Sequence, residues 1–390
     1  MIFRSFALAK SILIVITATL LAVVPVPLSA QRAKLPKPEV LGRGARFERD
    51  PRTGEASMQE VAPSASTPGS PAIRTSVSLV QVGCTVLAPD GTQVRGLQRE
   101  NFRVLEDGVE QSIAAFDAAA TPASIALIID ASPSIYRQLG RMRQAANSLS
   151  NSLAVQDEVA VVAFSDTARL LLPFSRDRDL LAAALASQEV SRVQDSTQSR
   201  IYEALYLTAR ELFAQRTGRK AIVLLTDGQD SGLGLTWEPA SMHAKPGANS
   251  GLAFDDVTKQ LAASGIDLYV ISTENRPGGM TDAWLASHQN QTLITQQARG
   301  MNIPAYTLYL GELVRQTGGR LFFLREMADL ADVYRRIAAA IRAEYTLSYY
   351  PASGAVRAGW RALRVELRPG GAPTGAQVSY RTTYYVPVSP

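Results

Sequence analysis

Asp130, Ser132 and Ser134 occupy alternate positions in Asp130-Ala131-Ser132-Pro133-Ser134, at the end of the apolar run IALIID. A carboxylate and two hydroxyls on one tight turn supply part of the oxygen shell of a small hard dication. Mg²⁺ takes an octahedron of oxygens, tolerates few direct carboxylates, and keeps waters or an outside ligand in the remaining positions. Another carboxylate is similarly placed: Asp227, in Thr226-Asp227-Gly228, follows the apolar run AIVLL. Where two strands lie side by side in a parallel sheet their ends share one edge, and Asp227 can approach the hydroxyls across the crevice there. Alone, Asp-x-Ser-x-Ser is a common pattern; its position after a buried run gives it weight.

The elements that must position these groups alternate along the chain. ASIALIID, DEVAVVAFSD, KAIVLLTDG, GIDLYVIST and RLFFL are short apolar runs that read as buried strands. RQLGRMRQAANSLSNSL, RDLLAAALAS, SRIYEALYLTARELFAQ, FDDVTKQLAAS and ADLADVYRRIAAAIRAEY are helical segments between or after them. Gly218, Gly265 and Gly318-Gly319 stand where a helix hands over to the next strand. Continuous apolar strands crossed over by helices predict a doubly wound α/β domain over 121–344, with a mostly parallel sheet covered on both faces. Two polar, glycine-bearing stretches, Gly232 to Gly251 and Glu274 to Pro304, read as long loops leaving the carboxyl edge of that sheet.

The flanks have a different period. VSLVQVGCTVL and FRVLEDGVEQSIAAF carry the turn signals Asp90-Gly91 and Asp107-Gly108, and WRALRVELR and QVSYRTTYYVPV are strand-like at the other end. Neither flank has enough strands for a stable sheet, so 75–120 and 345–390 are expected to pair into one smaller, split β-rich domain; the alternative is two separate β-extensions packed on the centre. Residues 31–74, rich in Pro, Gly, Ser and charge, read as a disordered tether. Residues 1–30 have the layout of a signal peptide: Arg4 and Lys10, then an apolar stretch, then small residues before cleavage after Ala30. An uncleaved anchor helix is the alternative, weakened by Pro25 and Pro27. The protein is therefore expected to be secreted or periplasmic, with no membrane span once the signal is removed.

The motifs around Asp130 and Asp227 resemble the von Willebrand factor A family and its metal-ion-dependent adhesion site. There, an Asp-x-Ser-x-Ser follows the first strand, a Thr stands on a loop before a helix, and a later Asp sits in Thr-Asp-Gly. The resemblance covers about Ser124 to Ala343. It implies Ser132 and Ser134 as hydroxyl ligands and Asp130 and Asp227 as carboxylates binding directly or through water. The third element departs from the family's Gly-Gly-Thr-Ala-Leu-Tyr-Asp-Ala: here it reads DSTQSRIYEA, which puts Ser199 in the Thr position, with Thr197 competing. The flanks GLQRENFRVLEDGVEQSIAAF and AEYTLSYYP look like the VWFA-related proteins common in Acidobacteria. The resemblance implies metal-assisted protein binding, in which an acidic residue of a protein partner completes the shell of Mg²⁺ (or Mn²⁺ or Ca²⁺). A hydroxyl-rich shell leaves the dication under-neutralised, which favours such a carboxylate.

Other functions find less in the sequence. The formal charge of +5 falls to about +3 without Arg4 and Lys10, and its basic residues form no aromatic-interleaved stripe for nucleic acid. One cysteine, Cys84, excludes an internal disulfide and a Cys-rich zinc site. The two histidines, His243 and His288, have no metal-ligand spacing, and there is no nucleophile elbow or phosphate loop, so an enzyme is not expected even though Asp227 or Asp230 could serve as a base to a metal-bound water. A structural role in an envelope assembly, with metal only stabilising the fold, is the nearer alternative. Trp237 and Trp284 lie in the two insertions and are read either as partner contacts or as local packing.

Overall fold

The computed structural model describes residues 35–43, 46–49, 56–59, 79–90, 92–118, 122–132, 148–187, 198–233, 236–238, 243–245, 251–288, 290–342, 345–352 and 358–387. The signal-peptide reading of residues 1–30 lies outside them, as do Ser134 and Thr197. In chain order the N-terminal flank gives β1 (Glu39–Val40), β2 (Arg46–Arg49), β3 (Ala56–Gln59), β4 (Val80–Leu87), β5 (Phe102–Glu106), β6 (Val109–Gln111) and β7 (Ile113–Asp117). The centre gives β8 (Ala123–Asp130), β9 (Glu158–Phe164), β10 (Ala168–Ser175), α1 (Arg178–Ala186), α2 (Ile201–Leu207), β11 (Arg219–Thr226), β12 (Thr236–Glu238) and β13 (His243–Lys245). It continues through α3 (Phe254–Ser264), β14 (Ile266–Ser272), α4 (Asp282–His288), α5 (Leu293–Ala298), α6 (Ala305–Thr317), β15 (Gly319–Phe323) and α7 (Leu330–Arg342). The C-terminal flank gives β16 (Tyr345–Tyr349), β17 (Gly359–Leu367), β18 (Gln377–Tyr380) and β19 (Thr383–Val386).

The central sheet has seven strands in the order β1-β10-β9-β8-β11-β14-β15. The run β9 to β15 is parallel, and β10 and β1 add antiparallel at one side. Because side chains alternate along a strand, β8 feeds two cores. Ile125, Leu127 and Ile129 pack with Leu181 of α1 and Tyr334 and Ile337 of α7. Ala126 and Ile128 pack on the other face with Leu205 of α2, Leu261 of α3 and Leu313 of α6. All eight residues of β8 are buried, as a strand covered on both faces requires. The fold class is α/β: a doubly wound, mostly parallel sheet with a smaller β-rich part formed from both flanks.

That β-rich part consists of two four-stranded sheets, β18-β4-β16-β7 and β19-β17-β5-β6, each drawing strands from before and after the α/β centre. Val82, Cys84, Val86, Phe102, Val104, Leu347 and Val365 fill the space between them, so Cys84 is a buried strand residue. Glu106 is buried among polar partners: it accepts the Tyr349 hydroxyl at 2.6 Å, the Tyr384 hydroxyl at 2.9 Å and Arg361 Nη2 at 2.9 Å. The Tyr349 bond crosses from one sheet to the other, because Tyr349 ends β16 and Glu106 ends β5.

Three expectations need correction. The stretch read as a disordered tether, 31–74, carries β1, β2 and β3. β1 pairs with the edge of β10, Leu41 is buried, Phe47 meets Tyr206 edge-on at 5.5 Å, and Arg49 pairs with Asp256 at 2.9 Å. An edge strand borrows a ready-made row of hydrogen-bonding groups, so a few apolar anchors order it without any periodicity of their own. The stretch Glu274 to Pro304, read as a loop, contains α4 and α5, whose few apolar residues (Leu285, Leu293) dock on the α6 face. The other long stretch, Gly232 to Gly251, contains the paired strands β12 and β13. Among the described residues no helix is long and apolar enough to cross a membrane.

Candidate metal centre

The parallel register sets β8 and β11 level: Leu225 pairs with Ile129, so Asp130 and Thr226 come next on adjacent strands at the carboxyl edge. Thr226 Oγ1 donates to Asp130 Oδ2 at 2.7 Å, and Ser199 Oγ donates to the same oxygen at 3.4 Å. Asp130 Oδ1 accepts the Ser132 N–H at 2.9 Å, which folds the start of the Asp-x-Ser turn back over the strand end. Thr226 Oγ1 in turn accepts the Gly228 N–H at 2.9 Å, and Asp227 Oδ1 accepts the Gln229 N–H at 3.0 Å. Gly228 adopts φ +85°, a left-handed conformation that lets the chain turn away immediately after Asp227. Three separate chain segments thus converge on one carboxylate.

Every member of this group is withdrawn from solvent: Asp130 and Thr226 fully, Asp227 and Ser132 to 4% exposure, Ser199 to 8%. Burial pushes the Asp130 carboxyl up to about 6, against hydrogen bonds from Ser132 and Thr226 that lower it, and the neighbouring Asp227 charge raises it further. Two buried carboxylates with hydroxyls around them form an all-oxygen donor set, which is the chemistry a hard dication requires. Among the described residues no group of three or more His, Cys, Asp or Glu is arranged to hold a metal, so a cation here would depend on the hydroxyls.

Of the residues singled out in the sequence, Asp130, Ser132, Ser199 and Asp227 are gathered at this edge, while Ser134 and the competing Thr197 lie outside the described residues. Thr226 and Ser231 are the contributors that the motif reading missed. Ser231 Oγ accepts the Ser199 N–H at 2.8 Å and donates to the Ser199 carbonyl at 3.0 Å, and the Ser231 N–H donates to that carbonyl at 2.8 Å. The signal for Ser231 was available only as its place four residues after Asp227. Asp230, weighed as a possible base, is instead tied into the backbone. Its Oδ2 accepts the Leu233 N–H at 2.7 Å, and burial raises its pKa. His288 stacks on Trp284 with ring centroids 4.2 Å apart, and its Nδ1 lies 2.9 Å from the Trp284 carbonyl oxygen. The side chains of His243 and Trp237 are outside what the structure describes.

Residues 125–229 match the von Willebrand factor type A domain family. A von Willebrand factor type A protein from Catenulispora acidiphila is similar in structure at TM-score 0.40 and 13% identity, covering 74% of this chain and 74% of that one. Proximal thread matrix protein 1 from the mussel byssus, with a zinc-occupied MIDAS motif, matches at TM-score 0.39 and 15% identity over 60% of this chain and 48% of that one. The vWF domain of the type V pili tip protein Mfa5 from Porphyromonas gingivalis matches at TM-score 0.38 and 13% identity over 57% of this chain and 96% of that one. Among curated proteins none matches the sequence. Most of β8, the whole of its partner β11 and both site carboxylates lie inside the stretch 125–229 that matches the von Willebrand factor type A domain family.

Proposed function

We propose that the chain is a metal-dependent protein-binding module that works outside the cytoplasm. The observation that carries this reading is the Asp130–Asp227 pair: two carboxylates buried side by side at a strand edge, with the Thr226 and Ser199 hydroxyls donating to Asp130. Burying a carboxylate without a counter-charge is costly, and a bound dication removes that cost. Asp130, Ser132, Ser134, Ser199 and Asp227 would hold Mg²⁺, Mn²⁺ or Ca²⁺. The bound cation would supply a positive charge open to an outside ligand. An acidic side chain of a protein partner is the ligand that suits it, because the shell contributes few negative charges.

A binding role suits these residues better than a catalytic one. Asp230 holds the Leu233 N–H within its own turn, and His288 is stacked against Trp284, which leaves neither placed as a base at the carboxylates. Export rests on the N-terminal sequence, with its two basic residues, apolar stretch and small residues before Gln31.

Titration calorimetry of Mg²⁺ and of Mn²⁺ into chelated protein tests the reading. Saturable binding at one site, abolished by Asp130→Ala while the circular dichroism spectrum persists, is the expected result. Absence of binding in folded wild-type protein overturns it, and the structural reading then stands in its place.

A further inference from the structure

A cavity of about 410 Å³ opens beyond β15, the last strand of the central sheet, where the α/β part meets the β-rich part. Its wall is mixed: Trp284 and Leu285 of α4, Leu293 of α5, Val314 of α6 and Leu321 of β15 form an apolar side, polar groups such as Gln291 and Gln377 form the rest, and the β4 end closes it from the other part. The Trp284 ring is held flat against His288, 8° from parallel, which gives one wall a planar aromatic surface. A space of this size lies in the range that takes a small organic molecule.

On the same wall the fold places Arg320, of β15. Its guanidinium makes no hydrogen bond or ion pair with any described residue, and Nη2 is shut off from solvent. Burial lowers its pKa, Tyr269 on the neighbouring strand opposes that shift, and the nearby Arg336 adds to it. The acids in the wall are already engaged. Asp282 is bridged by Arg276 and by Arg336, the latter at 2.9 Å, and Asp90 is bound by the Thr92 N–H at 2.9 Å and hydroxyl at 2.7 Å within its own turn. A guanidinium nitrogen shut off from solvent without a hydrogen-bond partner is uncommon in folded proteins, since its lost hydration goes unreplaced.

We infer that this cavity is a binding site for a small organic carboxylate with an aromatic body, its anion facing Arg320 and its ring lying along Trp284. The Arg320 fork suits a carboxylate, and the flat indole and the leucines suit a ring. The site is separate from the Asp130–Asp227 edge and does not depend on the proposed metal.

The test uses the full chain and two probes of equal shape, naphthalene-2-carboxylate and its neutral carboxamide, measured by calorimetry and by quenching of indole fluorescence. The carboxylate is expected to bind saturably and the carboxamide on the order of tenfold more weakly. Arg320→Gln is expected to weaken the carboxylate by a similar factor, Arg320→Lys by less, and Trp284→Phe to remove most of the quenching. Because Arg320 has no partner to lose, Arg320→Gln should melt no earlier than wild type. Lack of saturable carboxylate binding, equal affinity of the two probes, or unchanged affinity in Arg320→Gln overturns the inference. A marked drop in melting temperature in that variant does so as well, because it would make Arg320 a structural residue.

Discussion

Ser231 holds Ser199 by both ends of its peptide unit, accepting its N–H at 2.8 Å and donating through its hydroxyl to its carbonyl at 3.0 Å. This clamp fixes the loop before α2 against the loop after β11, so the Ser199 hydroxyl arrives at Asp130 already oriented. Ser231→Ala removes both side-chain bonds and leaves one backbone bond, which should cost about 1 kcal/mol of stability. In the proposed metal centre it should also weaken Mg²⁺ several-fold, and calorimetry on Ser231→Ala beside Ser231→Thr checks this. Equal affinity in all three proteins would mean that Ser199 needs no such support.

The raised Asp130 pKa gives the metal-free protein an unusual pH response. Its ordinary value is 3.8 and its value in the fold is about 6, so the folded state binds this proton more tightly than the unfolded chain does. This group's contribution is therefore most favourable below about pH 4 and is lost as pH rises through about 6. Other carboxylates act in the opposite sense: Asp282 and Glu312 are held low by arginines, and their contributions fade as pH falls. Asp130→Asn isolates the effect. In chelator, its melting temperature relative to wild type should climb between about pH 4 and pH 6.5 and level off above, and saturating Mg²⁺ should cancel that climb. A pH-independent difference would show that Asp130 titrates normally.

Arg361 stands over Glu106 and Asp107, and Glu106 is 4% exposed. Arg361→Leu should destabilise the protein by about 3 kcal/mol or more, because it strands a buried carboxylate. Adding Glu106→Gln to that variant should restore much of the loss, since the amide keeps shape without charge. Chemical denaturation of the two single variants and the double variant gives the coupling directly.

Two glycines with almost the same backbone should respond differently to alanine. Gly319 has φ +83°, and a Cβ there would stand 2.3 Å from the Leu268 carbonyl oxygen on the neighbouring strand. Gly108 has φ +82° with nothing within 4 Å of the same position. Gly108→Ala should cost about 1 kcal/mol, the backbone penalty alone, whereas Gly319→Ala should cost clearly more because β15 must shift from β14. Thermal melts of the pair decide it.

The parts of the fold that were legible in the sequence are those whose own residues determine them. β8 announces itself because it is buried on both faces and must be apolar throughout, and Asp130 stands out because a carboxylate ending such a run has few structural excuses. Asp227 was legible for the same reason at the end of β11. What could not be read is held by distant partners. β1 and β2 owe their order to β10, Tyr206 and Asp256, which lie far along the chain. The edge strand β10 follows β9 after a tight turn, and its ARLLLPFS was not recognised as a strand of its own. Ser231 enters the candidate site through loop geometry, which a linear motif does not record, whereas Thr226 stands in the Thr-Asp-Gly motif and only the strand register reveals its bond to Asp130.

The pairing of β7 with β16 joins the last strand before the α/β centre to the first strand after it, with Thr346 opposite Asp117. During synthesis β4 to β7 leave the ribosome long before β16 to β19, and their apolar face, with Val82 and Val86, has to wait for its cover. Folding of the intervening α/β body brings the two waiting ends together, turning a closure over more than two hundred residues into one between neighbours. The body therefore acts as a clasp for the sandwich. Once it melts, each half of the sandwich faces the full entropy of the long loop, and the two parts should unfold in one transition rather than two.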